Sequence, residues 1–176
     1  PTSDTPTLSV ANVSGVEDDA FIPISVSSTS TDNTETVTVY IEKPTQDVKF
    51  INTTTNVEVG TSTSFDFGSG SVSAIALTNS ELSNLGVVTG GDVKTNFNLK
   101  VMASSSDGDA ALTQSSLSTI AVSMSAKADP VGIEVNNSSS SNALSNSDEN
   151  STISIPIKIN LNDPTETVSL SIGNFK

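Results

Sequence analysis

Short runs in which Val, Ile, Leu or Phe alternate with polar residues recur along most of this chain, and a period of two is what a strand with one buried face requires. Ile22, Ile24 and Val26 predict one strand; Val37, Val39 and Ile41 predict the next. Val48 with Phe50, Phe65 with Phe67, Val72 through Leu77, Phe97-Leu99-Val101 and Ile120-Val122-Met124 predict the others. Between them stand Pro44-Thr45-Gln46-Asp47, Gly68-Ser69-Gly70, Gly90-Gly91-Asp92 and Asp107-Gly108-Asp109. Reversal is cheap there, because Gly takes positive φ and Asp bonds its own backbone. Roughly seven to nine short strands at this spacing predict an all-β fold, an antiparallel β-sandwich. Thr78 to Leu85 is the helical exception: Thr78 and Glu81 have capping-box spacing, so a single helical turn is expected to cross between the sheets.

An internal repeat sets the domain organisation. Asp32-Asn33-Thr34-Glu35-Thr36-Val37-Thr38-Val39 returns as Asp163-Pro164-Thr165-Glu166-Thr167-Val168-Ser169-Leu170. Upstream, Ile22-Pro23-Ile24-Ser25-Val26 matches Ile155-Pro156-Ile157-Lys158-Ile159, with Glu17-Asp18-Asp19 before one copy and Asp148-Glu149 before the other. Further upstream, Pro6-Thr7-Leu8-Ser9-Val10 parallels Pro130-Val131-Gly132-Ile133-Glu134-Val135. The copies lie about 125 to 135 residues apart, the size of a sandwich domain with one long insertion. Residues 1–128 are therefore expected to form one complete repeat, and 129–176 a linker and the first strands of a second, incomplete one.

Composition removes whole classes of function. With 7 Lys plus Arg against 20 Asp plus Glu, the net charge of −13 repels phosphate backbones and anionic lipid, so neither nucleic acid nor a membrane surface is expected as partner. The chain has no Cys and no His, which excludes disulfides, thiol nucleophiles, zinc sites and the commonest general base. No apolar run approaches the roughly 20 residues of a membrane helix. Asn52-Thr53-Thr54 and Asn150-Ser151-Thr152 fit the glycosylation acceptor pattern, which chance also produces in so Ser/Thr-rich a chain. Paired carboxylates hydrolyse glycosides in clefts lined by aromatics, but here there is no Trp and one Tyr, so no enzyme is expected. Phe21, Phe50, Phe65, Phe67 and Phe97 are expected to pack in the core, and Tyr40 to make a packed or cross-strand contact.

Several short motifs in sequence order carry a family resemblance. Pro6-Thr7-Leu8, Glu17-Asp18 before an Ile-Pro-Ile strand, Asp32 to Val37, Leu77-Thr78-Asn79-Ser80-Glu81-Leu82, Phe97 to Ser104 and Ala128-Asp129-Pro130 resemble the tandem Ig-like or cadherin-like repeats of giant bacterial RTX-type surface adhesins. The resemblance covers nearly the whole chain and implies an immunoglobulin-like (cadherin-like) antiparallel β-sandwich. It implies an extracellular spacer in a cell-surface stalk, with neighbouring repeats as partners and calcium stiffening the junctions. Two features depart from the family: Asn33-Thr34 stands where Gly-Ser is usual, and the stretch from Asn52 to Ser71 is unusually rich in Thr and Ser. The glycine-rich nonapeptide calcium repeats of RTX proteins are absent.

Loops of a sandwich gather at two poles, where carboxylates can converge on a hard cation that takes six to eight oxygens. The resemblance makes Glu17, Asp18 and Asp129 candidate calcium ligands at a domain junction. Asp32 and Glu35 are candidates as well, although their repetition equally suits a turn that must bend one way; Asp163 and Glu166 share that ambiguity. Two other readings stand beside the stalk: a self-assembling filament or sheath, in which identical subunits complete each other by strand exchange, and a glycan-binding module.

Overall fold

The computed structural model describes residues 2–44, 47–90, 93–108, 111–135 and 155–173. Thr45, Gln46, Gly91, Asp92, Asp109, the Asp148-Glu149 patch and the Asn150 triplet lie outside the described residues. The chain divides into two compact units, Pro1–Ala126 and Lys127–Lys176.

The first unit is an antiparallel β-sandwich with no helix among its described residues. Its larger sheet has the order β2 (Val13–Val16), β13 (Ser118–Ser125), β11 (Phe97–Ser106), β5 (Thr36–Glu42), β9 (Ser71–Thr78), β8 (Thr61–Asp66), with β12 (Thr113–Gln114) paired to β11. All these pairs are antiparallel except β2 with β13. The smaller sheet runs β3 (Ile22–Pro23), β10 (Leu85–Thr89), β6 (Val48–Asn52), β7 (Val57–Glu58), and β1 (Thr7–Val10) pairs with β4 (Val26–Thr29).

Alternation decides which side chains meet. Val37, Val39 and Ile41 of β5 and Leu99, Val101 and Ala103 of β11 point inward beside Ile75 and Leu77 of β9. From the other side come Ile22, Ile24, Val26, Val48, Phe50, Leu85 and Val87, so one core fills the space between the sheets. At about 25 cal/mol per Å² of apolar surface removed from water, this burial is the main source of stability in a chain with no disulfides.

Three expectations need correction. Ile22, Ile24 and Val26 are all buried, but they do not lie on one strand: the chain leaves β3 after Pro23 and enters β4 at Val26, where it pairs with β1 instead of β10. Pro23 has no N–H for a second ladder, which confines β3 to a sheet edge, and Ile24 still donates its N–H to the Leu85 carbonyl of β10 before the chain changes partner. Thr78 to Leu85 crosses from the larger sheet to the smaller as hydrogen-bonded turns, not as a helical turn. The capping contact itself forms, since Glu81 accepts the Thr78 N–H at 2.8 Å, but the same carboxylate also takes the Gly60 N–H at 3.1 Å, which ties the segment to the neighbouring loop.

The third correction concerns the aromatics. Phe50 and Phe97 belong to the core and Phe21 is half-buried, whereas Phe65 and Phe67 pack with Tyr40, Val72, Ala74 and Met102 in a separate cluster. That cluster lies on the outer face of the larger sheet, because Tyr40 and Met102 alternate with the core-facing Val39, Ile41, Val101 and Ala103. The turn between β8 and β9 is built as its glycines suggest: Gly68 and Gly70 take φ of 96° and 101°, and Asp66 accepts both their N–H groups.

In the second unit, β14 (Gly132–Val135) pairs antiparallel with β15 (Ile157–Asn160).

Candidate functional site

The acidic residues singled out from sequence occupy both poles of the first unit and part of the second. At one pole, Asp32 to Glu35 form the turn between β4 and β5. The Asp32 carboxylate accepts the Thr34 N–H at 2.9 Å and the Thr34 hydroxyl at 2.8 Å, and the Glu35 N–H returns to the Asp32 carbonyl at 3.3 Å. Asp at the first position of a turn bends the chain in this way because its short side chain reaches its own backbone two residues on. The Thr34 N–H, with its hydroxyl second, holds the Asp32 carboxyl below its ordinary value.

Glu35 then gathers three donors, two of them from distant parts of the chain. One oxygen accepts the Asp4 N–H at 2.5 Å; the other accepts the Ser105 hydroxyl at 2.7 Å and the Ser30 hydroxyl. The Ser30 hydroxyl contributes most to lowering the pKa, followed by Ser105 and the Asp4 N–H, while the Asp32 charge opposes them. Asp4 is held further by Thr31 on its carboxylate and by the Thr113 hydroxyl on its carbonyl, and Ser3 accepts the Asp107 N–H at 3.0 Å.

Glu17, Asp18 and Asp19 close the turn between β2 and β3. Asp18 takes φ of 64°, a left-handed conformation that Asp tolerates, and Asp19 accepts the Val16 N–H at 3.2 Å. Glu17 is buried, donates its N–H to the Ser125 carbonyl at 2.9 Å, and has the Lys94 ammonium 3.8 Å from its carboxylate. Ser125 ends β13, which runs antiparallel to β11 with Val122 opposite Phe97. Glu17 and Glu35 therefore stand at opposite ends of a ten-residue strand, on the order of 30 Å apart. Within this unit the structure brings Glu17 next to Asp18, and Asp32 next to Glu35, but does not bring the two pairs together.

The second unit repeats the first pole. Asp163, which is buried, accepts the Thr165 N–H at 2.8 Å and the Thr165 hydroxyl, and the Glu166 N–H returns to the Asp163 carbonyl at 3.3 Å. Glu166 accepts the Asp129 N–H at 2.9 Å. Asp129 thus has the place in the second unit that Asp4 has in the first. Strand register agrees: Thr7 faces Thr29 three residues before Asp32, and Gly132 faces Asn160 three residues before Asp163. This equivalence sets Val26 against Ile157, two residues away from the alignment that the Ile-Pro-Ile strings suggest.

Carboxylates are the right donors for calcium, but the number falls short. Among the described residues no three acidic side chains form a group able to hold a metal ion. At the Glu17 pole the Lys94 ammonium stands 3.8 Å from the carboxylate, and at the Glu35 pole the oxygens accept one N–H and two hydroxyls.

Sequence reasoning missed Asp4, Ser30, Ser105 and the two threonines. A signal existed for the threonines alone, since Thr34 and Thr165 stand in register in the repeated block. The repeated Glu shows in sequence, but its partners do not, because they lie up to 70 residues away. Comparison with protein-family models and with curated proteins finds no match to this chain.

Proposed function

We propose that the chain is a non-enzymatic, extracellular spacer: one immunoglobulin-like repeat and the opening of the next, from the stalk of a bacterial surface adhesin of the RTX type. The observation that carries this reading is the reuse of one piece of architecture. The same turn, the same Glu-to-backbone hydrogen bond and the same strand register occur at the start of both units. Arrays of this kind build length by adding units.

Strand order supports the immunoglobulin-like part. If β1, β3 with β4, β5, β6, β10, β11 and β13 are lettered A to G, the pairs A–B, B–E and E–D fall on one side and C–F and F–G on the other. In these terms the β7–β9 stretch is the long insertion that the repeat spacing implies. The calcium part asks more, since among the described residues no three acidic side chains form a group able to hold the ion.

Small-angle scattering and thermal melting of the two-unit chain, with calcium and with chelator, test both parts. A calcium junction requires a more extended and more heat-stable chain with calcium, and identical profiles would remove calcium while leaving a calcium-free spacer. A chain that adopts no fixed extension under either condition contradicts the spacer reading.

One observation favours the filament reading instead. Val131, Ile133 and Ile159 of the second unit are 39%, 47% and 37% exposed, an apolar strip of the kind that a neighbouring subunit's strands cover. Regular fibres in electron micrographs would favour it, and monodisperse monomers would count against it.

A further inference from the structure

The repeated acidic block looks from sequence like half of a metal site, yet one oxygen of Asp32 and both oxygens of Glu35 accept hydrogen bonds inside the protein. Asp32 Oδ1 accepts the Thr34 N–H and hydroxyl, and Glu35 accepts the Asp4 N–H on one oxygen and the hydroxyls of Ser30 and Ser105 on the other. The backbone on which Glu35 acts belongs to the segment that leads into the first strand. That segment is also bound through Thr31, Thr113 and Asp107, so the β4–β5 turn and two later positions converge on residues 3 and 4.

We propose that the Asp-x-Thr-Glu block is a calcium-independent clamp that seizes the segment preceding each repeat: Glu35 holds Asp4 and Glu166 holds Asp129. The Asp and Thr shape the turn, and the turn aims the Glu. The residue between them contributes only a backbone bend, which is why Asn33 in one copy is replaced by Pro164 in the other; Pro is well suited to the second position of a turn. In the second unit the clamped residue is in the linker itself, three residues before β14. The block thus fixes how the chain enters a repeat, and the division of labour follows: Asp32, Glu35, Asp163 and Glu166 serve as structural acceptors, not as metal ligands. The inference rests on the hydrogen bonds and holds whether or not the chain is an adhesin stalk.

Site-resolved amide hydrogen exchange on the whole chain tests it. Glu35→Ala is expected to speed exchange at the Asp4 N–H at least tenfold and leave Asp129 unchanged; Glu166→Ala should do the reverse. Asp32→Asn and Asp163→Asn should change the Thr34 and Thr165 amides by less than about twofold, because an Asn side-chain oxygen accepts the same bonds. Replacing calcium by chelator should leave all four amides of the wild-type chain unaltered. Core amides of Val39 and Leu99 report whether each variant still folds, and the wild-type comparison needs no variant. Unchanged exchange at Asp4 and Asp129 in folded Glu→Ala chains, or protection that appears only with calcium, would overturn the clamp.

Discussion

Tyr40 and Phe65 stack with ring centroids 3.9 Å apart and planes 11° from parallel, on the outer face of the larger sheet. Phe67 meets Phe65 edge-on at 4.9 Å. The outer face of this sandwich therefore carries a small apolar cluster of its own.

Such a pair contributes about 0.5–1.5 kcal/mol beyond the area it buries. A double-mutant cycle with Tyr40→Leu and Phe65→Leu, read by urea denaturation, should give a coupling energy in that range. Phe65→Ala should cost about 2 kcal/mol, less than for a fully buried Phe. Additive losses would show that the two rings stabilise the sheet separately.

Gly60 joins β7 to β8 with φ of 83°, and a Cβ there would stand 2.3 Å from Ile75 Cγ2 and 2.9 Å from Leu77 Cδ2. Gly60→Ala must therefore strain the backbone and displace two core side chains, at an expected cost of about 3 kcal/mol. Gly70, with φ of 101° and nothing within 4 Å of a Cβ, is the control. Gly70→Ala should lose only the backbone share, about 1–2 kcal/mol. Equal losses in thermal denaturation would refute the packing argument.

Glu35 and Glu81 both titrate below the ordinary 4.5, the first chiefly through the Ser30 hydroxyl and the second chiefly through the Thr78 N–H. A carboxyl lowered on folding contributes stability that is complete above its unfolded pKa and disappears as pH falls through its folded value. Melting temperature should thus fall on acidification below pH 4.5. Protonation also relieves repulsion in a chain of charge −13, so the comparison that isolates these two groups is with a Glu35→Gln, Glu81→Gln chain, whose decline should be shallower. Parallel curves for the two proteins would contradict the assignment.

Much of the sandwich was legible in the sequence because a period of two reports burial directly: Val37-Val39-Ile41 and Phe97-Leu99-Val101 lie inward as read. Which sheet a strand joins was not legible, since pairing is non-local. Nothing in Ile22-Pro23-Ile24-Ser25-Val26 says that its two halves pair with β10 and β1. Phe65 and Phe67 alternate as strand residues should, but period alone does not tell the inner face from the outer when the outer face is also apolar. At the poles, sequence showed that Asp32 and Glu35 recur; it did not show that their partners are Asp4, Ser30 and Ser105, because hydroxyls and backbone N–H groups carry no pattern.

The central claim is that the second unit rebuilds the opening of the first, down to strand register. Cross-strand nuclear Overhauser contacts in the whole chain measure this directly. Contacts linking Ile133 with Ile159 and Val135 with Ile157 would match the pairing of Leu8 with Ser28 and Val10 with Val26. Contacts that put Val135 opposite Ile159, the two-residue slip the Ile-Pro-Ile strings suggest, or no contacts between these strands, would contradict it.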